Sequence, residues 1–269
     1  MDRPPARSDP AAALAAAAAA GPYFAMESAA GRPPWRPLSV LITDRAVLAE
    51  RVDHARRVLA RSAGCSPGEI QERAAASIVF LGLASRLVSP SLGAAVAGGV
   101  VPDLAMADVW WRPVEGGPLP LAGRLSGGAA VGELASAAEM ADAARRLSEG
   151  CVQGLAGPVA EAFGTAFRLS RQVLWGNVAS ALAGAAGMLA AAFPARAQAA
   201  GRLAETILGL GSLRGTGDLV QPDPVRPRRF LVRRSCCLFY RVPGGGLCGD
   251  CVLVPDEVRR QQWQSALGR

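Results

Sequence analysis

Along most of the chain apolar residues recur every three or four positions, the spacing of helices, and only short stretches alternate. Asp9-Pro10 opens the alanine-rich run that follows in the way an N-cap and first helical position do. Asp44 precedes a stretch in which Leu48, Val52, Ala55 and Leu59 share one face and arginines the other, which predicts an amphipathic helix. Residues 69–88 predict another, wholly apolar around "SIVFLGLASRLV"; Ser89-Pro90 is expected to end it, with an Ala/Gly helix resuming over 91–99. The stretch "VWWRPVEGGPLPLAGRL" alternates aromatics and then turns at Gly-Gly-Pro, so it predicts short strands. Helical spacing returns over 132–148 and 156–208. From Gly209 to Arg229 the composition shifts to "GLGSLRGTGDLVQPDPVRPRR", the best linker in the chain. The expectation is an α+β protein. A mainly helical domain with a few short strands would fill residues 1–220, and a C-terminal β-hairpin module residues 226–269.

Two segments raise the question of a membrane. Residues 173–195, "VLWGNVASALAGAAGMLAAAFPA", carry no charge over about the ~20 residues that a bilayer crossing needs. Their alanines and glycines, with Asn177 and Ser180, make them only weakly hydrophobic, so the expectation is a buried helix of a soluble fold. At the N-terminus arginines precede an alanine run, but alanine contributes little to insertion, and an ordinary helix is expected there as well.

Composition narrows the chemistry. All 29 basic residues are arginine, against 22 acidic ones, and the net charge is +7. Arginine suits bidentate contact with anionic oxygens, so the partners to consider are nucleic acid, an acidic protein or an anionic small molecule. Without lysine there is no Walker A motif, and Gly209-x-Gly211 fails as a dinucleotide fingerprint because Arg214 stands where the third glycine belongs. The lone histidine, His54, excludes any site that needs two imidazoles, and it lies off its helix's apolar stripe, as a solvated residue would. Cys65 and Cys151 are isolated and read as small buried apolar residues, whereas the other four cysteines cluster. That distribution argues against a secreted disulfide framework, and the expected compartment is the cytoplasm.

The cluster is "RRSCCLFYRVPGGGLCGDC", residues 233–251. Cys236 and Cys237 are adjacent, ten residues follow, and Cys248 and Cys251 form a CxxC. A CxxC loop brings two sulfurs onto one metal. Adjacent cysteines serve a single tetrahedral zinc poorly, since neighbouring side chains of an extended strand point to opposite faces; a binuclear centre spreads its ligands more widely. "FLVRRSCC" reads as a strand running into the site, "VPGGG" as a turn and "CVLVP" as a short return strand. On the residues alone an iron–sulfur cluster, a structural zinc and unligated thiols all stay open.

The CC, ten residues, CxxC arrangement resembles the FhuF-like ferric siderophore reductases of actinobacterial type. The segments "GPYFAM", "LGLASRLVSP", "GGVVPDL" with "WWRP", and "LWGNVASALAGA" are similar to that family in the same order. The resemblance implies a [2Fe–2S] cluster on Cys236, Cys237, Cys248 and Cys251. It also implies one-electron reduction of siderophore-bound Fe(III), with electrons from an external donor, a ferredoxin or a pyridine-nucleotide-dependent reductase. No nucleic acid is expected, and association with the membrane face near an importer would fit the role. Arg233, Arg234 and Arg241 beside the cysteines, and Trp110, Trp111 and Arg112 in the aromatic stretch, are candidate contacts to substrate or donor. The competing expectation is a zinc-stabilised basic module, with Arg226, Arg228, Arg229, Arg233 and Arg234, that binds nucleic acid or a protein without catalysis.

Overall fold

A computed structural model describes residues 9–28 and 33–268. Nine α-helices are described: α1 (Pro10–Ala18), α2 (Val40–Thr43), α3 (Arg45–Ala63), α4 (Glu72–Gly98), α5 (Ala137–Leu147), α6 (Gly157–Phe167), α7 (Arg171–Ala192), α8 (Ala197–Leu208) and α9 (Asp256–Leu267). The strands are short: β1 (Glu27–Ser28), β2 (Arg36–Pro37), β3 (Val100–Pro102), β4 (Val109–Trp111), β5 (Leu121–Gly123), β6 (Gly128–Ala130), β7 (Gly217–Val220) and β8 (Phe230–Arg233). They form a four-stranded sheet in the order β1-β5-β4-β2 and two separate pairs, β3-β6 and β7-β8. The class is α+β, as the spacing of apolar positions predicts.

Several local expectations hold for the stated reasons. The Asp9 side chain accepts from the Ala11 N–H, and Pro10 opens α1. Asp44 accepts from the Ala46 and Val47 N–H groups and so caps α3, whose buried positions include Leu48 and Val52. The aromatic stretch forms the antiparallel pair β4-β5. His54, expected to be solvated, is instead half-buried, its Nε2 3.0 Å from the Glu115 carbonyl.

The core is built on α4, which packs against α1, α3 and α7, while α7 also packs against α8. Small residues set the spacing: Cβ atoms placed at Gly93 and Gly98 of α4 would lie 2.7 and 2.5 Å from the Cβ atoms of Ala17 and Ala13 on α1. Arg86 of α4 is 2% exposed and donates to the Leu119, Pro22 and Ala25 carbonyls at 2.7, 3.0 and 2.6 Å, and to that of Tyr23. Burial pushes its pKa down to about 10, so it remains a cation at neutral pH, clamping the "GPYFAM" segment to the helix. Both α4 and α7 are long and apolar enough to span a bilayer, yet 72% and 61% of their apolar windows are buried inside the fold. They are its core helices, as expected for residues 173–195.

Two expectations are corrected. Helix α4 does not end at Ser89-Pro90 but runs through it. Proline inside a helix costs ~3 kcal/mol, because the carbonyl four residues back loses its donor. Every residue from Arg86 to Val96 is buried, and that burial outweighs the defect. The Gly209–Arg229 stretch is not plain linker either. Leu213 is fully buried, and β7 pairs antiparallel with β8 from Gly217↔Arg233 to Val220↔Phe230. Its glycines and prolines mark the turns on either side of a short strand, and the hydrogen bonds of this sheet cross the expected boundary.

Candidate functional site

Strand β8 delivers the chain to Cys236 and Cys237, and what surrounds it comes from three directions. On one side stands β7. On another, the Arg233 N–H bonds the Asp250 carbonyl at 3.2 Å, which ties the strand to the CxxC loop. Beneath it lie α4 and α7, which contribute a buried polar relay: Ser77 Oγ donates to the Cys237 carbonyl at 2.7 Å, Asn177 Nδ2 donates to the Ser77 carbonyl at 2.9 Å, and Arg233 Nη2 donates to Asn177 Oδ1 at 2.7 Å. Ser77 and Asn177 are fully buried and Arg233 is 1% exposed. The close fit depends on Gly176, where a Cβ would stand 2.1 Å from Ser235 Oγ and 3.0 Å from Arg233 Nη2.

After the cysteine pair the backbone turns sharply. Leu238 sits in the left-handed region at φ 67°, which costs a non-glycine residue roughly 1–2 kcal/mol, and its N–H donates to Cys236 Sγ at 3.3 Å. The expected "VPGGG" turn is present, with Gly244 and Gly246 at φ 73° and 70°. The expected return strand at "CVLVP" is not. Residues 251–255 form a turn in which the Leu253 N–H donates to Cys251 Sγ at 3.4 Å. Buried Arg259 of α9 takes the Cys251 and Val254 carbonyls at 3.2 and 2.7 Å. With those carbonyls bonded to a side chain and β7 on β8, the strand pair forms from β7 and β8 instead.

All six cysteines are free thiols. Cys237 and Cys251 are buried, and Cys236 and Cys248 half-buried. The Cys237 and Cys248 sulfurs lie 3.4 Å apart and share a hydrogen bond, which, outweighing desolvation, holds Cys237 down to about 6 and pushes Cys248 up. Burial raises the Cys236 thiol, with the Cys237 and Cys251 sulfurs adding to the rise and Arg233 opposing it. The chain thus brings its four clustered sulfurs into one electrostatic environment beside a buried guanidinium. Cys151 behaves differently: its thiol donates to the Leu147 carbonyl at 3.2 Å, and burial pushes it up to about 12, the state of an inert core thiol.

The other candidates disperse. Arg233 is not at the surface but inside the relay. Arg234 is exposed and bidentate to Asp218, with Nη2 3.0 Å from Oδ1. Arg241 is exposed beside the site, donating to Tyr240 Oη at 3.1 Å. Trp111 is fully buried, with the Arg36 and Arg51 guanidinium carbons each 5.7 Å from its ring. Arg112 stacks over Trp35 at 5.4 Å, and Trp110 carries Arg124 at 5.5 Å while lining a cavity of about 690 Å³. The partners of these three residues belong to the four-stranded sheet and its surroundings, not to the cysteine segment. The relay residues Ser77 and Asn177 were missed; their only trace in sequence is a polar side chain inside an otherwise apolar helix.

Among the described residues, no three His, Cys, Asp or Glu side chains converge as one metal ion requires. A two-iron cluster asks less of each corner, since four thiolates supply two sulfurs per iron. Four free thiols, backbone N–H groups directed at two of the sulfurs, and a buried cation beside the cysteine pair fit a [2Fe–2S] group. Residues 233–253 match the family model described as the FhuF 2Fe-2S C-terminal domain. No curated protein matches the chain. The matched segment spans the relay arginine, both cysteine pairs and the turn beyond them, and it marks this C-terminal stretch as similar to the [2Fe–2S] domain of the FhuF family.

Proposed function

We propose that the chain is a ferric-chelate reductase in which Cys236, Cys237, Cys248 and Cys251 hold the [2Fe–2S] cluster. The observation that carries this reading is the family match over the segment that contains all four thiols. When bound, the cluster supplies one-electron chemistry. The substrate would be Fe(III) held by the hard oxygen donors of a siderophore. Oxygen donors bind Fe(III) much better than Fe(II), so adding one electron to the metal loosens the complex with no bond of the ligand broken. The electron comes from an external donor, a ferredoxin or a pyridine-nucleotide-dependent reductase, in the cytoplasm or on the membrane face near an importer.

The chain's own residues prepare the site. Arg233 places a fixed positive charge beside the cysteine pair, and the Leu238 and Leu253 N–H groups donate to Cys236 and Cys251 Sγ. Each of these stabilises negative charge on sulfur. The Ser77–Asn177–Arg233 relay fixes the pair against the core helices, so the site is rigid on its inner side and open on the side of Tyr240 and Arg241. The test is anaerobic. Dithionite-reduced, desalted protein is mixed with a ferric siderophore and a ferrous-selective chromophoric chelator. The visible absorption should return to that of the oxidised protein as one equivalent of Fe(II) is trapped. A reduced protein that the chelate leaves bleached would overturn the proposal.

A further inference from the structure

A cavity of about 340 Å³ opens on the face where β8 hands over to the cysteine pair. Its walls include Arg171, Arg214, Arg234, Trp175, Thr216 and Ser235, and no carboxylate is among the described residues that line it. Two of the three guanidiniums are held in place. Arg214 Nε donates to the Gly209 carbonyl at 3.2 Å, and Arg234 is bidentate to Asp218, with Nε and Nη2 at 3.0–3.2 Å from its oxygens. Asp218 balances one of the three cations, which leaves the cavity with an excess of two positive charges. Trp175 is 8% exposed and gives it a packed, apolar side. The wall formed by Ser235 is anchored to the Gln172 carbonyl at 2.8 Å and pressed against Gly176.

Position matters as much as charge. Ser235 is the residue immediately before Cys236, and consecutive Cα atoms are about 3.8 Å apart, so the cavity's wall runs directly into the cysteine pair, although no cysteine is among the described residues that line it. Preorganised guanidiniums favour planar anionic oxygen pairs, which they bind bidentately. Small-molecule sites span ~300–1,000 Å³, so this cavity, near the lower limit, suits one arm of a chelate and not a whole hexadentate complex.

We propose that this cavity binds one anionic bidentate oxygen arm of the ferric chelate, so that the protein selects anionic chelates over neutral ones. Catecholate and α-hydroxycarboxylate arms share that chemistry. The inference rests on the ferric-chelate reading above and adds the class of chelate and the residues that choose it.

Gallium(III) complexes test it apart from reduction, because gallium(III) has the charge and size of ferric iron but does not accept the electron. Isothermal titration of the oxidised holoprotein is carried out with a gallium(III) catecholate complex, with gallium(III) citrate, and with a neutral gallium(III) trihydroxamate. At least one anionic complex should bind ten-fold or more tightly than the neutral one, and the tighter of the two identifies the arm. Replacing both Arg171→Gln and Arg214→Gln, two exposed positions, should erase that preference and leave the visible spectrum unchanged. Equal affinity for neutral and anionic complexes, or a preference that survives the double substitution, would overturn the inference. So would a double variant that keeps its preference and is slowed only in accepting electrons from an acidic donor protein. Selective gallium binding together with no reduction of the ferric complexes would sink the reductase reading and leave the cavity's selectivity standing.

Discussion

Cys248 and Cys251, with two residues between them, would hold one corner of the cluster, while Cys65 and Cys151 lie elsewhere in the chain. Replacing Cys248 or Cys251 by Ser should therefore remove most of the visible absorption and at least half of the bound iron. Cys65→Ala and Cys151→Ala should keep both, because burial pushes the Cys151 thiol up to about 12 and Cys65, half-buried just past the end of α3, packs against the hydrophobic core. Metal analysis and a visible spectrum decide it; equal loss from all four variants would refute the division between ligands and bystanders. The cysteines were legible in the sequence because their spacing is local and the chemistry it permits is narrow. Arg233 was not. Beside Arg234 it reads as one of two surface cations, and only the fold sets its Nη2 against Asn177, 56 positions earlier in the chain, and through it Ser77, while Nε and Nη1 are buried without a hydrogen-bond partner. A buried guanidinium is a property of its partners, and sequence adjacency does not carry that.

Helices α4 and α7 illustrate what periodicity can and cannot say. Their existence follows from long apolar runs, but whether Pro90 ends α4 depends on how deeply the turn around it is buried, which is a tertiary fact. The strand pair at the C-terminal end was readable as to type, and Phe230–Arg233 as one member. Its partner was misplaced, since four residues inside a Gly/Pro-rich stretch carry little strand signal, and the carbonyls of Cys251 and Val254 go to Arg259 instead of a ladder. Where α7 meets the cysteine segment, the contact tolerates no side chain at residue 176. Gly176→Ala would place a methyl group 2.1 Å from Ser235 Oγ, and overpacking of this kind costs ~1–3 kcal/mol. Urea unfolding should show a loss of about 2 kcal/mol or more. Adding Ser235→Ala should recover part of it, because the nearest remaining contacts are Arg233 Nη2 at 3.0 Å and the Ser235 Cβ at 3.5 Å. Additive losses in the double variant would show that the two residues do not meet.

At the scale of the whole molecule, the net charge of +7 without a single lysine sets a positive field that attracts anionic partners before any contact forms. Within that field the cations near the cysteines divide by role. Arg233 is locked inside, Arg234 is neutralised by Asp218, and Arg241 stands exposed at the open side, near enough to Cys236 to sense its charge. Arg241 is therefore the residue through which long-range steering can be tested without disturbing the core. Arg241→Glu lowers the net charge by two, reverses its sign locally and breaks only solvent-exposed hydrogen bonds, to Tyr240 Oη and Gln71 Oε1. In stopped-flow mixing of reduced protein with an anionic ferric chelate, the second-order rate constant should fall about two- to five-fold near 0.01 M salt, where the Debye length is ~30 Å. Near 1 M salt, with a Debye length of ~3 Å, wild type and variant should converge, and the visible spectra should coincide throughout. With a neutral chelate the two proteins should react alike at every salt concentration. Equal rates with the anionic chelate at low salt would place Arg241 among ordinary solvated side chains and would leave selection of the substrate to contacts made after encounter.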